Sequence, residues 1–316
     1  MIKVCSRYGL DNLPFIPGGR VMALGMFDGF HAGHTDIIKG AVRLAGHSGL
    51  LTCVQTFRNL SKSGDDRLIY TMEERVRILE SLGVDEMLVL NFPQVRDMSP
   101  SEYCEQILKT RAGAAAMFIG HDYRFGKGAS GDEVFLKGFA AGNNINLRVI
   151  SDRILEGTDR RISTTWLRKA LSEGDCVLAA KLCEGRHFFY SGRVSHGKQA
   201  GRQMGFPTAN LEIPEDKFVV RRGVYCSRIT LGNRVLYGVT NVGRRPTVED
   251  AVNDVAETFI FDFDEDIYGA SIKVELMKFL RPEQEFGSVE ELRKAVEENK
   301  AQARDYFLKE AGISLN

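Results

Sequence analysis

The feature that most restricts how this chain can fold is a change of period near residue 185. Up to about residue 151, "RVMALGMF", "LLTCVQTF", "DEMLVLNF", "AAMFIG" and "INLRVIS" read as short buried strands. Helical patterns separate them. "HTDIIKGAVRLAG" puts Ile37, Ile38, Ala41, Val42 and Ala45 on one face. "TMEERVRILESLG" opens on a capping box, Thr71 with Glu74, and stops at Gly83. "SPSEYCEQILKTRAG" begins with Ser99, Pro100 and Glu102, another helix start. Strand–helix alternation predicts a parallel sheet covered by helices on both faces.

Two more helices, "STTWLRKALSEGD" and "CVLAAKLCEG", lead to the change. Beyond it the apolar pieces are short and turn-bounded: "HFFYSGRVSHG", "FPTANLEI", "GVYCSRITL", "RVLYGVTNVG", "AETFIFDF" and "ASIKVELMKFL". Their spacing predicts an antiparallel barrel. A long amphipathic helix capped by Ser288 and Glu291 closes the chain. The expectation is an α/β domain over residues 1–184, with a Rossmann-like parallel sheet, followed by an all-β domain over 185–316.

A length of 316 residues accommodates two such domains. Lys plus Arg and Asp plus Glu both number 42, so there is no basic excess for a nucleic-acid backbone. No apolar stretch approaches a membrane span, and "MIKVCSRYGLDNLPF" lacks the apolar core of a secretory signal. Six cysteines without a CxxC pair argue for reduced thiols and against a zinc site or a disulfide framework. The expected setting is the cytoplasm, with small-molecule partners and no nucleic acid, membrane or obligatory protein partner.

"GMFDGFHAGH", residues 25–34, lies where the first strand passes into the first helix. Ligands of open parallel sheets collect at such strand ends. Gly25, Gly29 and Gly33 allow close backbone approach, and helix-start amides face an anion. His31 and His34 can donate to phosphate. Equally, one can cap the helix while the other is solvated. Zinc is disfavoured because no further ligands of suitable spacing stand nearby. "GHDYRFG" adds Asp122 in a glycine-bounded loop, and "RRISTTWLR" adds hydroxyls and Arg168 at another helix start.

In the second half, "GKQAGRQMGFPTANL" carries Gly197, Gly201 and Gly205. It is either a mobile hairpin or a phosphate cradle, and it lacks the Walker and kinase glycine spacings. Pro207 stiffens the entry to a strand on which Thr208 and Asn210, two apart, share a face. Oxygen ligands of this kind suit Mg²⁺ when ATP supplies the others. Glu257, inside "AETFIFDF", reads by itself as an ordinary exposed strand residue.

In this order, "GMFDGFHAGH", "GHDYRFG" and "RRISTTWLR" resemble the adenylyltransferase half of bacterial bifunctional riboflavin kinase/FMN adenylyltransferases, over residues 15–183. The pieces "GRQMGFPTANL", "RGVYCSRI", "NVGRRPTV", "ETFIFDFDEDIYG" and "FLRPEQEF" resemble the riboflavin kinase domain over 186–308. The likeness departs at Met26, at "FRNLS" from Phe57, at His121 and at Thr164. It implies that His31 and His34 contact ATP phosphates, with Ser163, Thr164 and Arg168 completing the clamp. Gly25, Phe27, Asp28, Gly29 and Gly33 belong to the same nucleotide-binding motif, and Asp122 falls in the flavin and nucleotide pocket. It further implies that Thr208 and Asn210 hold Mg²⁺–ATP, within a loop that includes Gly197, Gly201, Arg202, Gly205 and Pro207. Glu257 becomes the base that deprotonates the riboflavin 5′-hydroxyl. The expected activity is phosphorylation of riboflavin to FMN and adenylylation of FMN to FAD, with flavin as substrate and product. A kinase with a weakened adenylyltransferase half, and a flavin- or nucleotide-sensing module without turnover, are the alternatives.

Overall fold

The computed structural model describes residues 6–58, 67–195, 207–246, 252–309 and 312–313. By their internal contacts the residues form two compact units, Met1–Thr164 and Thr165–Asn316.

The first unit is built on six strands: β1 (Ser6–Tyr8), β2 (Arg20–Leu24), β3 (Leu51–Arg58), β4 (Glu86–Asn91), β5 (Ala114–Gly120) and β6 (Asn146–Ile150). They lie in the order β1-β4-β3-β2-β5-β6, and every pairing is parallel. Connecting helices include α1 (Ala32–Ser48) and α2 (Met72–Ser81). The short α3 (Phe92–Val95) precedes α4 (Pro100–Glu102), which runs on as a π-helix over Tyr103–Arg111. After β5 comes α5 (Glu133–Gly142). β2 is buried along its whole length, as a central strand covered on both faces must be. The capping boxes at Thr71/Glu74 and Ser99/Glu102 both form. The sequence pattern does not reveal β1, α5 or the π-helix. β1 is too short to carry a period, and the exposed Val134 blurs the apolar stripe of α5.

Arg20 enters β2 fully buried. Its Nε lies 2.5 Å from Glu86 Oε2, and its Nη1 donates to the Ala112 carbonyl at 3.0 Å. This pair ties β2 to β4 at the ends of the strands opposite the site described below.

In the second unit, α6 (Thr164–Glu173) and α7 (Cys176–Leu182) precede the strands β7 (Phe189–Arg193), β8 (Thr208–Glu212), β9 (Gly223–Leu231), β10 (Arg234–Pro246), β11 (Val252–Ile260) and β12 (Ser271–Pro282). Their order is β7-β12-β9-β10-β11-β8, with antiparallel pairing throughout. Just past β7, Ser195 bridges to Asn210 of β8, joining the two edges of the sheet into a barrel. The helix α8 (Val289–Lys309) packs Ala303 and Phe307 against Val224, Cys226, Val239 and Phe261. Its start is capped as the sequence suggests, with Glu291 N donating to Ser288 Oγ at 3.2 Å.

The sequence division at 184/185 follows the change of period, whereas the contacts divide the chain at Thr164/Thr165. The reason is local: α6 and α7 pack within the second unit. Arg221 N donates to Leu171 O at 3.1 Å, and Gly174 abuts the Phe279 ring. Among the described residues no helix is long and apolar enough to cross a membrane.

Candidate functional sites

The strand order of the first unit reverses between β2 and β5, because β3 and β4 follow β2 on one side while β5 and β6 lie on the other. At such a switch point the connections leave in opposite directions and open a crevice at the carboxyl ends of the strands. The loop leaving β2 holds residues 25–31, and the loop leaving β5 holds His121 and Asp122.

The β2 loop is held in a strained shape. Phe27 and Phe30 both take left-handed dihedrals, with φ of 47° and 45°, which bulky residues rarely adopt. Buried contacts enforce it. Asp28 Oδ1 accepts from Ile69 N at 2.9 Å and from Arg75 Nη2 at 3.0 Å. Arg75, itself buried, also donates to Thr56 Oγ1 at 2.9 Å and to the Met26 carbonyl at 3.3 Å. Asp28 thus has a bracing role, with its carboxylate spent on Arg75 and the Ile69 amide. Phe27 is buried, and its ring meets His34 edge-on at 5.2 Å.

His31 is the N-cap of α1, and its Nδ1 accepts from His34 N at 3.4 Å. Helix capping, one of the two roles open to these histidines in the sequence, therefore holds for His31. The two rings stack, with centroids 3.8 Å apart and planes 21° from parallel. Gly33 leaves room for the His31 ring, since a Cβ there would come within 3.3 Å of His31 Cε1. Burial, reinforced by the Arg161 cation and opposed by Asp122, lowers the His31 pKa to about 4. Burial and then the His31, Arg75 and Arg161 charges hold His34 well below its ordinary value. Both rings are neutral at neutral pH. Acceptance at Nδ1 places the His31 ring proton on Nε2. His34 Nδ1 is buried without a hydrogen-bond partner.

A cation that acts on both rings is Arg161, which lies within "RRISTTWLR" but which its motif does not mark out. The backbone bridge Ile154↔Arg161 places it on the segment that follows β6. Its Nη2 lies 2.5 Å from Asp122 Oδ2, and its Nε lies 2.8 Å from Asp152 Oδ1. His121 Nδ1 lies 3.2 Å from the same Asp152 oxygen. Burial works to raise the Asp122 carboxyl, but the Arg161 hydrogen bond and charge overcome it and hold it below the usual range. Ser163 and Thr164 stand half-buried at the start of α6. Arg168 sits further along α6, and its guanidinium lies 5.3 Å from the centre of the Phe218 ring within the second unit. Gln55 is a further buried polar group that no motif flags. Its Oε1 accepts from Tyr103 and Tyr123 hydroxyls at 2.9 and 3.4 Å, while its Nε2 is left without a partner. A glutamine inside the apolar run "LLTCVQTF" is the signal the sequence offers for it.

The second centre lies on the barrel. Pro207 is exposed directly before β8, and Thr208 and Asn210 share a strand face as their spacing requires. Asn210 Nδ2 donates to the Thr208 carbonyl at 3.0 Å and to Thr208 Oγ1 at 3.4 Å. These bonds fix the amide so that Oδ1 remains. That oxygen is buried with no hydrogen-bond partner. A buried acceptor left open in this way costs stability unless something meets it. On β11, Glu257 stands directly opposite Asn210, on the same face. A cleft beside Thr208 is lined by Pro207, Phe263, Tyr268 and the acidic run Asp264, Glu265 and Asp266. Gly197, Gly201, Arg202 and Gly205 lie outside the described residues.

Among the described residues, no group of three or more His, Cys, Asp or Glu side chains could hold a metal by itself. The donors at Thr208 and Asn210 are neutral oxygens. They fit a hard cation that brings its remaining ligands with it, and the open Asn210 Oδ1 is the feature that such an ion would satisfy.

A family model described as FAD synthetase matches residues 15–166, and one described as riboflavin kinase matches residues 184–307. The bifunctional riboflavin kinase/FMN adenylyltransferase of Bacillus subtilis is 33% identical over 296 residues, covering 91% of this chain and 92% of that protein. The protein of the same name from Escherichia coli K12 is 33% identical over 307 residues, covering 95% of this chain and 96% of its own. A crystal structure titled as a macrolide-efflux protein from Streptococcus pneumoniae superposes with a TM-score of 0.82 at 27% identity, over 95% of this chain and 99% of that one. With two matched domains in this order and relatives alike over nearly their full lengths, the chain belongs to the bifunctional riboflavin kinase/FMN adenylyltransferase family.

Proposed function

We propose that this chain makes FAD from riboflavin in two steps, each drawing on ATP, and that the functional division follows residues 1–184 and 185–316. The observation that carries the reading is the presence of two unlike phosphate-type centres, one in each unit. One is a stacked, neutral imidazole pair at a sheet switch point. The other is an open amide oxygen facing a carboxylate on a barrel.

On the barrel, Thr208 and Asn210 hold Mg²⁺ with the triphosphate of ATP, and the cleft along Phe263 and Tyr268 takes the nucleotide. The ion supplies charge neutralisation of the phosphates. Glu257 takes the proton from the riboflavin 5′-hydroxyl as the oxygen attacks the γ-phosphorus. The new O–P bond gives FMN, and the bond to ADP breaks. A carboxylate within hydrogen-bond reach of an attacking hydroxyl typically contributes about 10²–10⁴ in rate.

At the switch point, a phosphate oxygen of FMN attacks the α-phosphorus of a second ATP. The anhydride bond of FAD forms and pyrophosphate departs. His31 donates through Nε2–H, and His34 donates from the same helix face. Arg161 joins Ser163 and Thr164 in binding the phosphates. Asp122 and Asp152 hold the Arg161 guanidinium in place until the nucleotide arrives. The amides of Gly29 and Gly33, at the positive end of α1, face the phosphates. Neutral rings suit this chemistry, because they donate without the charge that would hold pyrophosphate after transfer. Neither step uses a protein nucleophile.

The substrates are therefore riboflavin, FMN and ATP. We place the protein in the cytoplasm, which the burial of Cys53, Cys104, Cys176, Cys183 and Cys226 without a disulfide supports. Chromatography of the products tests the whole reading. Riboflavin with excess Mg²⁺–ATP should give FMN and then FAD, and FMN supplied directly should give FAD. FMN as the end product would remove the adenylylating half of the proposal, and unchanged riboflavin would remove both halves.

A further inference from the structure

The barrel centre contains two side chains, one inside "NVGRRPTV" and one inside "FLRPEQEF", to which the resemblance assigns no role, and their placement suggests one. In the β10–β11 pairing Asn241 stands directly opposite Glu257. Because Glu257 is in turn opposite Asn210, the three form one row across β10, β11 and β8, on a single face. Directly opposed residues in such pairs have Cβ atoms about 4.5–5.5 Å apart. Glu257 is thus flanked by a carboxamide on each side. On one side Asn210 has committed its NH₂ group to Thr208. On the other side, Asn241 is half-buried and its NH₂ points along the strand towards Gly243.

Gly243 explains how a carboxylate comes close to that amide. It does not take the left-handed conformation that would call for glycine, and it lies buried inside β10. What it provides is room. A Cβ there would collide with Glu283 Oε1 and lie 3.1 Å from Asn241 Nδ2. The Glu283 carboxylate therefore sits in the space that the missing side chain leaves, beside the Asn241 amide. Glu283 follows directly on β12, whose end is pinned when Arg281 Nε donates to Asn299 Oδ1 of α8 at 3.1 Å.

We propose that Asn241 is the positioning residue for the Glu257 base, and that Glu283, seated over Gly243, holds Asn241 in its working orientation. A carboxamide has two N–H donors. One faces Glu283, and the other serves Glu257. The arrangement fixes which Glu257 oxygen meets the substrate hydroxyl. Glu283 acts only through Asn241 and does not touch the reacting atoms. The inference rests on the barrel being the riboflavin-phosphorylating half.

The test is steady-state kinetics of the full-length protein, with riboflavin phosphorylation and FMN adenylylation measured on the same preparations. Asn241→Ala should lower kcat for phosphorylation roughly tenfold to hundredfold, the usual cost of losing a donor to a charged group, with KM for riboflavin and ATP little changed. Asn241→Asp keeps the shape but replaces the donor by a third carboxylate, so it should be at least as slow as Asn241→Ala. Gly243→Ala fills the space with one methyl group and displaces the flexible end of Glu283. Its loss should match that of Glu283→Ala, and the double variant should be no slower than either single variant. Adenylylation of FMN should stay at the wild-type level in all of them. The proposal is overturned if Asn241→Asp retains wild-type kcat, or if the losses from Gly243→Ala and Glu283→Ala multiply. Failure of the underlying reading would show separately, as a wild-type protein that cannot phosphorylate riboflavin at all.

Discussion

The imidazoles of His31 and His34, one helical turn apart at the start of α1, stack with their centroids 3.8 Å apart. Stacking two protonated rings would set like charges against each other in a buried place. Their neutrality and their geometry are therefore one property. The ring that caps the helix through Nδ1 thereby keeps its proton on Nε2.

Replacing His34 by Ala removes one directed donor at the switch point. FAD formation from FMN should fall by about 10²–10³, while phosphorylation of riboflavin by the same preparation continues. Parallel rate measurements with the two substrates check this, and equal losses in both would break the assignment of separate centres.

The depressed His31 pKa links stability to pH. Its ordinary value is 6.5, and in the fold it is about 4. Between these values the unfolded chain binds a proton that the folded chain refuses. The stability held by neutral His31 is complete above pH 6.5 and is lost as pH falls towards 4, to a limit of about 3 kcal/mol. Urea unfolding at pH 7 and pH 4.5 measures the loss. His31→Asn keeps a good N-cap acceptor and should show a smaller loss than the wild type.

Arg161 should be visible through its neighbour. Its charge helps to depress His31, so Arg161→Ala should move the His31 titration upward in a ring-proton NMR experiment. The same variant should raise the KM for ATP in adenylylation. An unmoved His31 titration would separate Arg161 from the histidine pair.

Asn210→Ala deletes the open oxygen of the barrel centre. Riboflavin phosphorylation should fall at least about 10- to 100-fold and require more Mg²⁺, with FAD formation from FMN preserved. A variant with the wild-type Mg²⁺ dependence would argue that Oδ1 meets no metal.

The Asp28–Arg75 pair should matter mainly to folding of the β2 loop. Removing one partner leaves the other as an uncompensated buried charge, so Arg75→Met should cost about 3–5 kcal/mol in the first unit. The combination of Arg75→Met with Asp28→Asn should recover much of it, as denaturant midpoints will show.

Much of this protein is legible in one dimension because its determinants are local. The change of period at residue 185 follows from which faces of each segment are buried, and burial of a strand or helix face is written in its apolar spacing. The capping boxes at Thr71 and Ser99 are visible because their partners are three residues apart. His31, His34, Thr208 and Asn210 can be named because each lies in a short motif whose backbone setting is set by its neighbours. The tertiary structure decided what depends on distant parts of the chain meeting. Arg161 reaches the histidines across more than a hundred residues of sequence, and Arg75 claims the Asp28 carboxylate from α2. Glu257 gains its place beside Asn210 and Asn241 only through strand register. Two helices whose own pattern is indifferent joined the second unit because their apolar faces found its surface. Charge pairing and register are cooperative outcomes of packing, and no window of neighbouring residues contains them.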